Sequence, residues 1–319
     1  MNFLTISIPT YNRKESLESL LKSMVDTIKA SRYANKIGVY VSDNASNDGT
    51  KEILDEMYKL YKLSSISFDY QILKNNVGFG GNVIETLNKP DSEYIWWCSD
   101  RDLICLDKID VLISELLMFK PNVCSVGTIQ PPYTEENPRY DTSMHGYYNN
   151  TELVHEVFST KLSSLIVKKS QAKDFDYDAV SKSLWAHVLI ALPIILKTKS
   201  YYIFSQNMAS VNLEKNYLHL RYMPSAFFDL QELKRDIYTS LGIKQAFLVS
   251  NRRVTRFGAN LNYLLLVLTK KATVAESVWA EMKKELVEDF FIRFGFLDWI
   301  NYRAILIFIV KYINFSIRR

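Results

Sequence analysis

Cysteine is scarce: Cys98, Cys105 and Cys124 are the only ones in 319 residues, and no pair has Cys-x-x-Cys spacing. This excludes a disulfide-stapled secreted scaffold and fits thiols kept reduced. An excess of one charge sign is also lacking. Lys plus Arg number 39 against 35 Asp plus Glu, a net charge of +4 that falls well short of a dedicated nucleic-acid binder. No apolar run reaches the roughly 18 residues needed to span a bilayer. The stretch 184–196 is broken by His187 and Pro193, and 304–310 is shorter still. The N-terminus has no basic segment, and its short apolar run stops at Pro9, so no secretory leader is expected. Internal repeats and Gly- or Ser-rich linkers are missing too. What is present is 48% apolar and 13% aromatic residues, with 23% charged. That composition supports a sizeable core and argues against disorder. The length suits one large domain with a helical annex.

The first hundred residues alternate regularly. Strands are expected at 3–8, 37–42, 66–73 and 93–98 from their apolar runs. Between them, Leu17, Leu20, Leu21, Met24, Val25 and Ile28 recur at helical spacing, as do Ile53, Leu54, Met57, Leu60 and Tyr61. A Gly-rich turn from Asn75 to Asn82 precedes a short helix over 83–88. The β-α-β-α-β-α-β order predicts a mostly parallel, doubly wound α/β sheet. A helix near 108–119, strands near 123–129 and 162–167, and a buried helix over 180–196 follow, with a Pro-, Tyr- and Asn-rich loop at 130–150. Beyond about Tyr202 the pattern becomes helical, with blocks near 225–241, 255–269, 274–294 and 297–315. The expected division is an α/β domain over 1–205 and a helical region over 206–319.

Four polar clusters fall at the carboxyl ends of the first four strands, where ligands bind in such sheets. They are Pro9–Arg13, Asp43–Thr50, Asn75–Asn82 and Ser99–Asp102. Asp43 has two readings, acceptor for a base or ribose edge or cap of the next helix; for Asp48 and Thr50 capping is favoured. Asp100 and Asp102, one residue apart, supply two hard oxygen ligands suited to Mg²⁺ or Mn²⁺, although Asp-x-Asp is also common in turns and caps. Gly78, Gly80 and Gly81 permit positive φ and close backbone approach to a ligand. No P-loop is present, because the Gly-Lys-Ser/Thr element is missing.

Taken together, Ser7-Ile8-Pro9-Thr10-Tyr11-Asn12-Arg13, Ser42–Thr50, Asn75-Asn76-Val77-Gly78 with Gly81-Asn82, and Trp97-Cys98-Ser99-Asp100-Arg101-Asp102 resemble the family 2 glycosyltransferases. The likeness is strong over about 3–110 and looser to about 200. It is greatest to bacterial enzymes of O-antigen and capsule assembly, including an abequosyltransferase-like branch. The resemblance implies the GT-A fold with a C-terminal helical extension, and transfer of a sugar from a nucleoside diphosphate to a glycan hydroxyl. The implied chemistry is inverting and metal-assisted. It further implies that Pro9, Thr10, Tyr11 and Arg13 line the nucleotide pocket. Asp43, with Asn44 beside it, would meet the base, and Asn76, Gly78 and Asn82 would lie by the ribose and diphosphate. Ser99, Asp100 and Arg101 would face the donor. Asp102 and Asp100 would hold the divalent cation, Mn²⁺ or Mg²⁺, with Asp102 in direct contact. Arg101 stands where many relatives carry another acid, so a cation there would pair with diphosphate and take over part of the metal's charge. The general base is expected among Asp178, His187 and Asp176. Asp174 and Asp176 share the interval with Asp178, and a His on an apolar helix is as readily a core residue.

The last thirty residues, 290–319, mix aromatic residues with Arg293, Arg303, Lys311, Arg318 and Arg319. Such a helix lies on anionic membrane or packs on protein. Membrane contact would suit a lipid-linked acceptor such as a glycan on undecaprenyl diphosphate, and a protein at the cytoplasmic face of the inner membrane. A homo-oligomer is compatible with this reading. A rival reading, prompted by Arg101 and the unassigned base, is a catalytically inactive nucleotide-sugar sensor or scaffold. A nucleotidyltransferase ranks lower, because Pro9–Arg13 contains no glycine.

Overall fold

The computed structural model describes residues 1–129, 140, 142–149, 159 and 161–211. β1 (Asn2–Thr10) is central, and its residues from Leu4 onward are buried, as a parallel strand covered on both faces requires. α1 (Lys14–Ala30) follows, and all six apolar positions expected to face inward are buried. β2 (Ile37–Asp43) leads through Gly49, in the left-handed region at φ 88°, into α2 (Thr50–Leu63). Asp48 caps that helix as expected, accepting from the Thr50 amide at 3.1 Å and from its hydroxyl at 2.6 Å. β3 (Ser67–Ile72), α3 (Gly78–Asn88) and β4 (Ser92–Trp97) complete the repeating half. β3 alternates exposed and covered residues, as befits the strand at the sheet edge.

The second half is mixed. β5 (Asp102–Ile104), α4 (Ile109–Phe119), β6 (Val123–Ile129), β7 (Gly146–Tyr148), β8 (Leu165–Lys168), α5 (Tyr177–Lys182), α6 (Ala186–Thr198) and β9 (Tyr201–Val211) follow in chain order. The strands form one sheet in the order β3-β2-β1-β4-β8-β6-β9-β5, with β7 added on β9. β1 to β4 are mutually parallel, as are β6 and β9, whereas β8 runs against both β4 and β6. β5 comes straight after β4 in sequence yet pairs with β9 at the far end of this order, so the sheet curls back towards the loop that joins β4 to β5.

One face of the sheet, with Leu4, Ile6, Ile8, Val39, Val41, Tyr94 and Trp96, packs in a single cluster with α1, α2 and α4. On the other face α3 lies on β1 and β2, and α6 on β6 and β8. Each fully buried Leu or Ile contributes roughly 1.5–3 kcal/mol to such a core.

Three expectations need correction. The Gly-rich turn is largely the first turn of α3, which starts at Gly78. A built Cβ on Gly80 would lie 2.2 Å from the Val180 carbonyl oxygen, so glycine here allows α3 to meet the backbone of α5. The helix expected over 180–196 is two helices, broken at Ser183–Trp185, where the Ser183 hydroxyl accepts from the Trp185 amide at 2.9 Å. The helical pattern expected beyond Tyr202 begins instead with β9, an interior strand of the sheet.

The chain divides into two compact units, Met1–Asn216 and Tyr217–Arg319, and the boundary expected at 205 falls inside β9. The second unit lies outside the described residues, and with it the helical blocks and the basic 290–319 tail. So does most of the 130–150 loop.

Candidate functional site

Parallel pairing sets the geometry. Thr10 is in register with Asp43 and Ser7 with Trp97, so the ends of β1, β2 and β4 come level and all four polar clusters face one rim. At one end of the rim the loops after β1, β2 and β3 are tied together. Asn44 donates to the Asn76 side chain at 3.0 Å and to the Gly78 carbonyl at 3.1 Å, while its own side-chain oxygen accepts from the Val77 amide at 2.8 Å. Asn82 reaches back from α3 and donates to the Thr10 and Ser42 carbonyls at 3.3 and 3.0 Å. Asn12, left-handed at φ 49°, donates through its amide to Ser46 at 2.7 Å and accepts from the Asn47 amide at 2.9 Å. The glycine and asparagine residues at this end therefore hold loops in place before any ligand arrives.

Asp43 is 1% exposed. It accepts from the amide and hydroxyl of Ser46, within its own turn. Burial pushes its carboxyl up from the ordinary range, against the pull of those donors. A buried acceptor held at a strand end without a cation beside it suits a neutral hydrogen-bond donor.

At the other end, Asp100 is also 1% exposed. One oxygen accepts from the Thr10 hydroxyl at 2.9 Å, and the other pairs with Arg13 at 2.7 Å. Burial raises the Asp100 pKa, and Arg13 and Thr10 act in the opposite direction. Asp102 faces different partners. Lys161 reaches one of its oxygens at 3.1 Å and the Ser163 hydroxyl donates to the other. Ser163 also accepts from the Ser99 amide at 2.9 Å, and its carbonyl accepts from the Trp96 indole at 2.9 Å. Burial lowers the pKa of Lys161, opposed by Asp102.

Arg101 lies between the two acids and lines a cleft of about 400 Å³ together with Asn12, Arg13, Lys14, Glu15, Ser16 and Asp48. Burial and the neighbouring Arg13 charge lower its pKa, with Asp100 acting against them. Pro9 and Thr10 are covered, Tyr11 is exposed, and Ser99 is half-buried at the turn where its hydroxyl accepts from the Arg101 amide at 3.3 Å. As for the expected cation site, each of the four carboxylate oxygens of Asp100 and Asp102 already accepts from an internal donor. Among the described residues no group of three or more His, Cys, Asp or Glu is placed to hold a metal ion. The two acids turn to different partners and each already has a cation, an arrangement that does not suit one divalent ion held by both.

The three candidates for a base all lie next to α3. Asp176 caps α5, accepting from the Ala179 amide at 3.1 Å. Asp178, in the first turn of α5, is exposed and pairs with Lys182 at 2.6 Å. His187 in α6 is 3% exposed and packs by ring edges and faces against Phe79 and Trp185. Asp174 is exposed and reaches Lys197 at 3.5 Å.

Lys161 and Ser163 were not expected from the sequence. They join Asp102 from 59 and 61 residues away, brought there by the pairing of β8 with β4.

This curled α/β sheet, with its polar clusters at the strand ends, has the GT-A fold. In structure the chain is similar to the mannosyltransferase PcManGT from Pyrobaculum calidifontis in complex with GDP-Man and Mn²⁺. The TM-score is 0.55 at 13% identity, over 98% of this chain and 87% of that one. It is also similar to S. aureus TarS 1–349 in complex with UDP, with a TM-score of 0.52 at 15% identity, over 96% of this chain and 75% of that one. Residues 5–168 match Glycosyl transferase family 2, and the chain belongs to that family. In sequence it is 29% identical over 211 residues to abequosyltransferase RfbV of Salmonella typhimurium strain LT2, which covers 60% of each protein. The match thus spans less than two thirds of that relative's length.

Proposed function

We propose that the protein is a glycosyltransferase that moves a sugar from a nucleoside diphosphate to a hydroxyl of a growing surface glycan. The observation that carries this reading is the convergence of four loops on one rim, with buried Asp43 at one end and Arg13, Asp100 and Arg101 at the other. Family membership and the similarity to an abequosyltransferase support it. The acceptor hydroxyl oxygen forms a bond to the anomeric carbon while the bond from that carbon to the diphosphate oxygen breaks. The hydroxyl proton passes to a base, and the nucleoside diphosphate leaves. A base on the face opposite the leaving group would invert the anomeric centre.

Asp178 is the proposed base. It is solvent-accessible, and its helix packs on the Gly78–Gly80 segment that Asn44 and Asn76 brace. Buried His187 would need its neighbours to part before meeting a substrate. The acceptor is proposed to be lipid-linked and met at the cytoplasmic face of the membrane. No helix among the described residues is long and apolar enough to cross a bilayer.

The test is transfer from CDP-, UDP-, GDP- and dTDP-sugars to lipid-linked acceptors, with the product anomer read by NMR. At least one donor should be consumed with a new glycosidic bond formed. Asp178→Asn should lower kcat at least about a hundredfold while leaving donor binding intact, and His187→Gln should have a much smaller effect. Binding without turnover across the whole panel would favour the sensor reading.

A further inference from the structure

We infer that the site holds the donor's diphosphate with side-chain cations, Arg13 and Arg101, in place of a divalent metal ion. Asp100 and Asp102 act as positioning residues within that arrangement. The inference rests on the proposed function, since it concerns how the same donor is gripped.

The first support is the internal pairing of the acidic residues. Asp100 spends one oxygen on Thr10 and one on Arg13, and Asp102 spends one on Lys161 and one on Ser163. The two carboxylates share no partner. Asp100 turns to the β1 loop, whereas Asp102 turns to the turn before β8. A Mg²⁺ or Mn²⁺ ion held by both acids would need them to face one point, and here it would have to compete with two cations, Arg13 and Lys161, that already offset their charge.

The second support is independent of the first. Arg101 makes no salt bridge and no side-chain hydrogen bond among the described residues, yet it lines a cleft of about 400 Å³ with Arg13 and Lys14. The Arg13 charge acts on it unfavourably. Two neighbouring guanidinium groups, one held by a buried carboxylate and the other unpaired, form a site whose mutual repulsion an anion relieves. Planar guanidinium donors match phosphate oxygens two at a time. They would neutralise the charge that develops on the departing diphosphate. Held by Asp100, Arg13 keeps its remaining N–H donors for the ligand. Lys161, through Asp102 and Ser163, fixes the turn that carries Arg101.

Calorimetric titration of the full chain with CDP, UDP, GDP and dTDP, once in EDTA and once with excess Mn²⁺, tests the inference. At least one nucleotide should bind in EDTA, with a Kd within about fivefold of its value in Mn²⁺. Mn²⁺ alone should give no binding heat. Arg101→Ala should weaken nucleotide binding at least about tenfold in both buffers, and Arg101→Lys should recover part of the loss. A loss of fivefold or more on adding EDTA to the wild type would overturn the inference and leave the donor reading standing. Unchanged binding by Arg101→Ala would overturn it too. Absence of binding in both buffers, with a native circular dichroism spectrum, would remove the donor reading and this inference with it.

Discussion

The two ends of the rim handle buried negative charge in opposite ways. Asp43 is as deeply covered as Asp100, but the donors it has are the amide and hydroxyl of Ser46 in its own turn. Asp100 and Asp102 each have a cation, brought from the β1 loop and from the segment before β8. The Asp43 end is therefore a buried acceptor with neutral donors and no cation beside it. The other end is internally balanced around carboxylates, and its free charge is the positive Arg101. A desolvated charge without a counterion is costly to the fold, so the first end gives up stability for recognition and the second does not.

Substitutions can break or sharpen this contrast. The largest effect is expected from Lys161→Ala, which leaves buried Asp102 without its cation. Stability should fall by about 3 kcal/mol in urea titration, and an unchanged midpoint would mean that the pair contributes nothing. Gly80→Ala comes next. It forces a methyl against the Val180 carbonyl and should cost about 2 kcal/mol. It should also weaken nucleotide binding, because α3 and the Asn76 turn shift together.

The smallest effect, and opposite in sign, is expected from Asp43→Asn. Nucleotide binding should drop by about tenfold or more while the melting temperature holds or rises at neutral pH. Burial raises its folded pKa above the ordinary carboxylate value, so Asp43 supports folding only when protonated, and that support is lost as pH rises through the folded value. The advantage of the Asn variant should thus shrink as pH falls towards 3.8. A lower melting temperature for Asp43→Asn at pH 7 would contradict the contrast at its first end.

How far the site was legible in the sequence follows the same divide. Strands β1 to β4, helices α1 and α2, and the strand-end placement of the polar clusters depend on local periodicity. Leu17 to Ile28 announce a buried face without any knowledge of the fold. Asp48 and Thr50 were legible as a cap because capping is a two-residue affair. Gly78 has the positive φ its residue type suggested, but Gly80 misled because glycine is a weak helix former, and the reason for glycine at that position is the distant carbonyl of Val180. β9 was obscured because its apolar run Tyr201–Phe204 follows α6 after only two residues and continues the same hydrophobic texture. Lys161 and Ser163 carried no local signal, since a lysine and a serine gain meaning there only through a carboxylate some sixty positions earlier.

That separation bears on how the molecule can be divided. While the polypeptide is being synthesised, Asp102 emerges well before the residues that offset it, and it cannot be buried comfortably until β8 has docked beside β4. A fragment cut after β6 would keep all four polar clusters and still lack the counterion and hydroxyl that let its acidic turn close. The parallel half is thus not a module that can be excised and grafted, because its charge balance is completed from outside its own borders.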